Sequence, residues 1–328
     1  MLSFNQQPNN KQLHSYADRL KSYKHGGRRI EAPNRRKEIK NMADYSKLYE
    51  QVTNKIIEEM EKGIIPWKKG WTAISGAYNA RSKRYYSFLN QIILGRPGAY
   101  ASFKQWNEMG CKIKKGEHST FVMEWFSKKI EYTTKNADGE EEQKSFLKWY
   151  PRTYPVFHQS QVEGFKEPEG MDIKPADPIK EAEEVKEAYE QRENIKILTD
   201  EQSDKAFYSP TLDYIRLPMK EQFSNINEFY SVMFHEMTHS TGHSKRLDRG
   251  LDAKLAAFGS QDYSKEELVA ELGSAMSMAR LGIDTPDTFR NSTAYLQGWL
   301  KALKNDKELI ITAASLAEKA VKYIFGDN

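Results

Sequence analysis

Cysteine is almost absent: the single thiol, Cys111, has no partner for an internal disulfide and fits a reducing compartment. Long apolar runs are missing too, and none approaches the ~20 residues a membrane-spanning helix needs. Met1 to Asn10 lack a basic start followed by an apolar core, so no secretory leader is expected. No internal repeat is visible. These absences argue against a disulfide-stapled secreted scaffold, a membrane protein and a repeat array. The remaining expectation is a cytoplasmic globular protein with no membrane partner.

The chain has 328 residues, including 6 Trp, 18 Tyr and 15 Phe, which is room and apolar surface for two domains with cores. A net charge of +4 hides an asymmetry. Lys and Arg outnumber Asp and Glu by 10 to 3 over residues 1–41 and by 19 to 14 over 42–165. They trail by 21 to 29 over 166–328. A basic front and an acidic back point to different partners for each.

Residues 1–41 are polar and basic and read as a flexible tail, with a short helix expected over 16–23. Helical spacing of Tyr45, Leu48, Tyr49, Val52, Ile56 and Met60 predicts a helix to Lys62, closed by Gly63. Further helices are expected over 85–94 and 102–109, the latter capped by Ser102. Strands are expected over 120–126 and 146–157, joined by a hairpin tip at 135–140. Three prolines in 166–179 mark an interdomain linker. Beyond it the pattern predicts a helix over 179–192, a strand over 195–198, and a hairpin pairing 206–209 with 213–217. Four helices follow, near 225–243, 264–281, 290–304 and 306–325. The expected fold class is α+β, with a mixed α/β domain over 42–165 and a mostly helical domain with a small sheet over 180–328.

Within the second domain stands His235-Glu236-x-x-His239. On a helix the two imidazoles lie one turn apart on one face and can reach one metal ion. Glu236, about 100° round the helix, can act on a metal-bound water without being a ligand. Catalytic zinc takes a third protein ligand. Glu267 and Glu271 share a helix face at i, i+4 spacing, and spacing leaves the ligand role open between them. Ser264 and Glu267 also have capping-box spacing. A third histidine three residues beyond Gly242 is missing, because Lys245 stands there; His243 is offset by one turn from His239. Tyr208, Tyr214, Tyr230 and Tyr263 are candidate oxyanion donors.

The front half interleaves rings with cations: Trp67, Lys68 and Trp71, then Arg84 and Tyr85, then Trp106, Lys114 and Lys115. Rings can stack on unpaired bases while cations neutralise phosphates, which is how single strands are held without sequence preference. The competing reading places the tryptophans in the core.

Together these marks resemble the ArdC family of antirestriction proteins carried by conjugative plasmids and related mobile elements. The front-half marks are Ile65-Pro66-Trp67, Tyr85-x-x-x-Leu89-Asn90, Lys115-Gly116-Glu117 and Gln161-Val162-Glu163-Gly164. The back-half marks are His235-Glu236-x-x-His239-x-Thr241-Gly242-His243, Arg246-Leu247-x-Arg249, Glu266-Glu267-Leu268-x-Ala270-Glu271 and Trp299-Leu300. The resemblance covers residues 45 to about 325. It implies a single-stranded-DNA-binding front domain and a zincin-like metallopeptidase domain behind it. It implies Zn2+, or another divalent ion such as Mn2+, held by His235, His239 and Glu267. Glu236 would be the general base and Glu271 a carboxylate steadying a ligand histidine or an alternative ligand. Two positions depart from the family pattern: Ser240 stands where a tryptophan is expected, and Tyr85-Tyr86 replaces Tyr-Arg-Gly. The implied function is protection of incoming mobile-element DNA from host restriction. The alternatives are a DNA-binding protein whose metal is structural, or a metallopeptidase acting on a protein partner whose identity the sequence does not name.

Overall fold

The computed structural model describes residues 35–68, 76–135, 141–166, 177–223, 225–251, 261–283 and 292–327. The expected helix over 16–23, the hairpin tip and most of the expected linker lie outside them. Two compact units divide the chain, Met1–Asp44 and Tyr45–Asn328. Of the first, only a helical backbone from Arg35 onward is described, so regular structure starts before the expected end of the tail.

The second unit contains most of helix α1 (Arg35–Glu61), then β1 (Ala77–Asn79), α2 (Phe88–Leu94), β2 (Gly98–Ala101) and α3 (Phe103–Glu108). Next come β3 (Lys112–Ile113), the long strands β4 (Thr120–Lys135) and β5 (Glu141–His158), and β6 (Val162–Glu163). The back half supplies α4 (Pro178–Glu193), β7 (Lys196–Leu198), β8 (Phe207–Ser209) and β9 (Tyr214–Arg216). It closes with α5 (Ile226–Ser240), α6 (Gln261–Leu281), α7 (Ser292–Asn305) and α8 (Leu309–Phe325). The fold is α+β, as the sequence predicts. One sheet has the order β1-β2-β5-β4, a second pairs β3 with β6, and a third has the order β7-β9-β8.

Local chemistry accounts for the boundaries. Ser102 accepts the Gln105 N–H while the Gln105 side chain returns to the Ser102 N–H, a capping box that opens α3. Asp177 caps α4 with Pro178 in its first turn. The helix expected from Tyr85 begins only at Phe88. Tyr85 forms an antiparallel bridge with Tyr78, and the Tyr86 N–H reaches the Ala77 carbonyl at 3.1 Å, which holds this stretch extended. The β4–β5 hairpin is longer than expected and stays in register from Thr120↔Val156 to Lys135↔Glu141.

Two large cores organise the second unit. One joins Val52, Ile56, Met60, Trp67, Leu89, Ile92 and Ile93 from the front half to Leu268, Leu272, Met276, Trp299 and Ile310 from the back. Trp67 meets Trp299 edge to face at 5.5 Å. The other core packs α4 and the β7-β9-β8 sheet on Phe229, Tyr230, Met233, Phe234 and Met237 of α5. Helices α5 and α6 touch at Gly273, where an added Cβ would lie 2.5 Å from the Thr238 hydroxyl. This close approach brings the acidic end of α6 beside the histidines of α5.

Candidate metal centre

Helix α5 is opened by Asn225, whose side chain accepts the Asn227 N–H. Its apolar stripe is buried in the second core, leaving His235 and His239 on a different face. Their rings sit 4.8 Å apart, centroid to centroid, with the two Nε2 atoms separated by 3.1 Å. Glu267 of α6 completes the group: its carboxylate lies 3.5 Å from His235 Nε2 and 3.3 Å from His239 Nε2. One donor atom from each of the three lies within 4.8 Å of the others.

The electrostatics are those of a closely held charge cluster. Burial opposes a charged imidazole, yet Glu266 and Glu267 outweigh it and push His239 up to about 10. His235 is likewise raised despite burial, with Glu267 as the main partner. Burial would raise Glu267, but bonds to both histidines hold it well below the usual carboxylate range. The donor set fits a divalent metal ion: two imidazoles and one carboxylate converge, and such an ion replaces the protons that otherwise keep these groups compatible. Glu236 lies on the same helix and is buried, 8% exposed.

Around this group is a brace to which the sequence reading gave no role. Glu266 places Oε1 3.3 Å from His239 Nδ1. Arg249 binds both oxygens of Glu266, at 2.7 and 3.0 Å, and also donates to the Thr238 carbonyl and the Thr241 hydroxyl. The C-terminal end of α5 and the start of α6 are thus pinned by one guanidinium. Arg246, its side chain 1% exposed, forms two bonds to Asp213 and one to the Ser240 carbonyl. Adjacent acids in one sequence run gave no sign of which would face a histidine; only the crossing of two helices decides it.

The remaining candidates fall as follows. Glu271 is buried on α6 and its charge acts on His235; Glu266 is set against Nδ1 of His239, the nitrogen turned away from Glu267. His243 is buried and accepts the Lys245 N–H at 3.1 Å, outside the three-residue group. Tyr208 donates to Asp213 and Tyr230 to Glu183, so both hydroxyls are committed to carboxylates. Tyr214 packs edge to face on Phe207, and the side chain of Tyr263 lies outside the description. Ser240 is fully buried, its hydroxyl meeting Tyr189 Oη at 2.7 Å.

In the front half, Trp67 and Trp106 are 1% and 0% exposed, and the Trp106 indole donates to the Phe157 carbonyl. A sealed ring offers no face to a base, so the stacking expectation is corrected for these two: they are core. Tyr85 is 40% exposed, and Arg84, Lys114 and Lys115 are at the surface. Lys114 donates to the Ser160 carbonyl. Trp71 and the side chain of Lys68 lie outside the described residues.

Comparison with known proteins fits this geometry. A family described as the N-terminal domain of anti-restriction factor ArdC matches residues 46–157, and one described as a zincin-like metallopeptidase matches 184–316. The crystal structure of the metal-free antirestriction protein ArdC from plasmid R388 is 32% identical, with a TM-score of 0.63. The match covers 85% of this chain and 97% of that one. The chain belongs to the ArdC family. A Mn(II)-bound structure of the R388 protein matches with a TM-score of 0.61 at 29% identity, again covering 85% of this chain and 97% of that one. Sequence relatives include an uncharacterized protein of Sinorhizobium fredii, 30% identical over 84% of this chain and 91% of its own length. Another is a DNA primase TraC of Escherichia coli, 33% identical over 87% of this chain. This ArdC-family chain spans only 20% of that TraC and 27% of a second one. Among the described residues no helix is long and apolar enough to cross a membrane.

Proposed function

We propose that this ArdC-family protein binds single-stranded DNA through its front half and carries a metal-dependent peptidase site in its back half. In this reading it acts in the cytoplasm and protects incoming mobile-element DNA from restriction. The observation that carries the reading is the convergence of His235, His239 and Glu267 beside the buried Glu236. Those three side chains would hold the ion, Zn2+ first and Mn2+ as the other candidate. When bound, it supplies Lewis acidity and lowers the pKa of a coordinated water. Glu236 would serve as the base that takes a proton from the attacking water and hands it to the leaving amine. Strand β8, at the edge of its sheet, gives an extended peptide of a still unnamed protein substrate a ladder to join. On the DNA side, Arg84, Tyr85, Lys114 and Lys115 remain as exposed contacts, and Lys68 and Trp71 as candidates from the sequence.

Metal content of the purified protein is the first test. About one equivalent is expected in the wild type and almost none in His239→Ala; no bound metal in either would end the peptidase reading. Protection of transferred DNA in cells, with wild type against Glu236→Ala, then asks whether hydrolysis matters. Unchanged protection by the variant would leave strand occupancy as the mechanism.

A further inference from the structure

The hairpin β4–β5 extends well beyond its sheet partner. Strand β2 pairs with β5 only at His158 and Phe157, whereas the ladder between β4 and β5 continues to Lys135 and Glu141. Side chains alternate between the two faces of such a ribbon. One face carries Phe126 opposite Tyr150, Lys128 opposite Lys148, Ile130 opposite Phe146, and Tyr132 opposite Lys144. Phe126 and Tyr150 are stacked at 5.7 Å, and Tyr132 meets Phe146 edge to face at 5.9 Å. Lys128 Nζ lies 5.8 Å from the Phe126 centroid and 5.9 Å from that of Tyr150. At the base, Tyr45 covers part of Tyr150, with its ring 6.1 Å away. Further out, Tyr132 and Phe146 are 47% and 44% exposed.

Three features of this face point to one class of occupant. Its acidic residues Glu124 and Glu142 are paired, with Arg152 and Lys144 respectively, so the face is positive on balance. Lys128 and Lys148 stand directly opposite each other, a like-charge juxtaposition that weakens a two-stranded ribbon. An anion between them would relieve it. Same-face positions recur every ~6.8 Å, about twice the ~3.4 Å rise per nucleotide of a stacked strand. Along β5, Tyr150, Lys148, Phe146 and Lys144 follow one another at that interval, ring then cation, so that successive rings stand ~13.6 Å apart. Such alternation matches a polymer with flat bases and one negative charge per unit.

We infer that this face of the hairpin is a docking platform for single-stranded DNA. Bases stack on Tyr132 and Phe146, while Lys128 and Lys148 neutralise phosphates. The inference rests on the DNA reading above and relocates its main contacts from the buried tryptophans to the ribbon.

Anisotropy of a labelled oligo-dT, titrated with the full chain at several salt concentrations, tests it. Tyr132→Ala/Phe146→Ala should bind tenfold or more weakly, since each stacked base contributes on the order of that factor. Lys128→Gln/Lys148→Gln should flatten the dependence of log affinity on log salt by about one unit or more. Wild-type binding that both variants retain undiminished overturns the platform and leaves the DNA reading standing. A wild type that does not bind at low salt overturns both. A duplex of the same length bound as tightly as the single strand overturns the stacking. Should either variant fail to fold, acetylation footprinting on the wild type decides: the oligonucleotide must slow modification of Lys128 and Lys148, and unchanged rates reject the platform.

Discussion

At the scale of single residues, the brace around His239 sets what the centre tolerates. Arg249 holds Glu266, and Glu266 faces His239 Nδ1, leaving Nε2 directed at His235 and Glu267. Carboxylates in this position fix the orientation of a ligand histidine. Glu266→Gln should weaken metal binding about 10–100-fold with the melting temperature of the metal-free protein little changed, as read by titration against a chelator. Asp213 makes a different prediction. Burial alone would raise its carboxyl, but its bonds from Arg246 hold it below the ordinary range. A carboxylate lowered by folding adds stability that is complete above its unfolded value, about 3.9, and fades as pH falls through the folded one. Melting of Asp213→Asn across pH 7 to 2 should therefore show a shallower acid limb than wild type. At neutral pH the variant should be less stable by about 1–3 kcal/mol, the cost of a broken charged hydrogen bond.

At the scale of elements, the decisive contact is the crossing of α5 and α6. Gly273→Ala places a methyl group against Thr238, and the helices must part. The expected cost is about 1–3 kcal/mol, a drop in melting temperature of several degrees. Metal affinity should fall too, because Glu267 rides on the displaced helix. A variant that melts and binds metal like wild type would show that the crossing has slack. The crossing also explains what was readable beforehand. His235, Glu236 and His239 follow from the helical period alone, so their relation was legible. Spacing did not choose between Glu267 and Glu271, since both share one face of α6; the family resemblance pointed to Glu267, and packing against α5 sets it by the two imidazoles. Glu266 was invisible because only that packing sets it against His239, and Arg249 because it arrives from a loop. In the front half, sequence told rings from cations but not core rings from surface ones. Trp67 and Trp106 could be read as platforms or as core, and burial decides for core, while Tyr132 and Phe146 drew no such reading in strands whose polar composition hid their length.

At the scale of the whole second unit, the core joining Val52, Ile56, Met60 and Trp67 to Leu268, Leu272 and Trp299 is the main constraint. It makes the helix that carries Glu267 a wall of a core in which ten of the 24 buried residues come from before position 124. A fragment of residues 177–328 would expose that wall. It should lack fixed tertiary signals in near-ultraviolet circular dichroism and bind metal poorly, whereas the full chain should not. Trp67→Ala, far from the histidines in sequence, should cost about 3–5 kcal/mol in chemical denaturation. A fragment that folds and holds metal as well as the intact protein would show that the shared core is dispensable.

Interlocked halves also limit how the coding sequence of such a protein can be cut and rejoined. A recombination event falling between the two family segments would hand each descendant a greasy, half-finished surface. What can pass intact from one gene to another, or be grafted onto a larger polypeptide, is the stretch as a block.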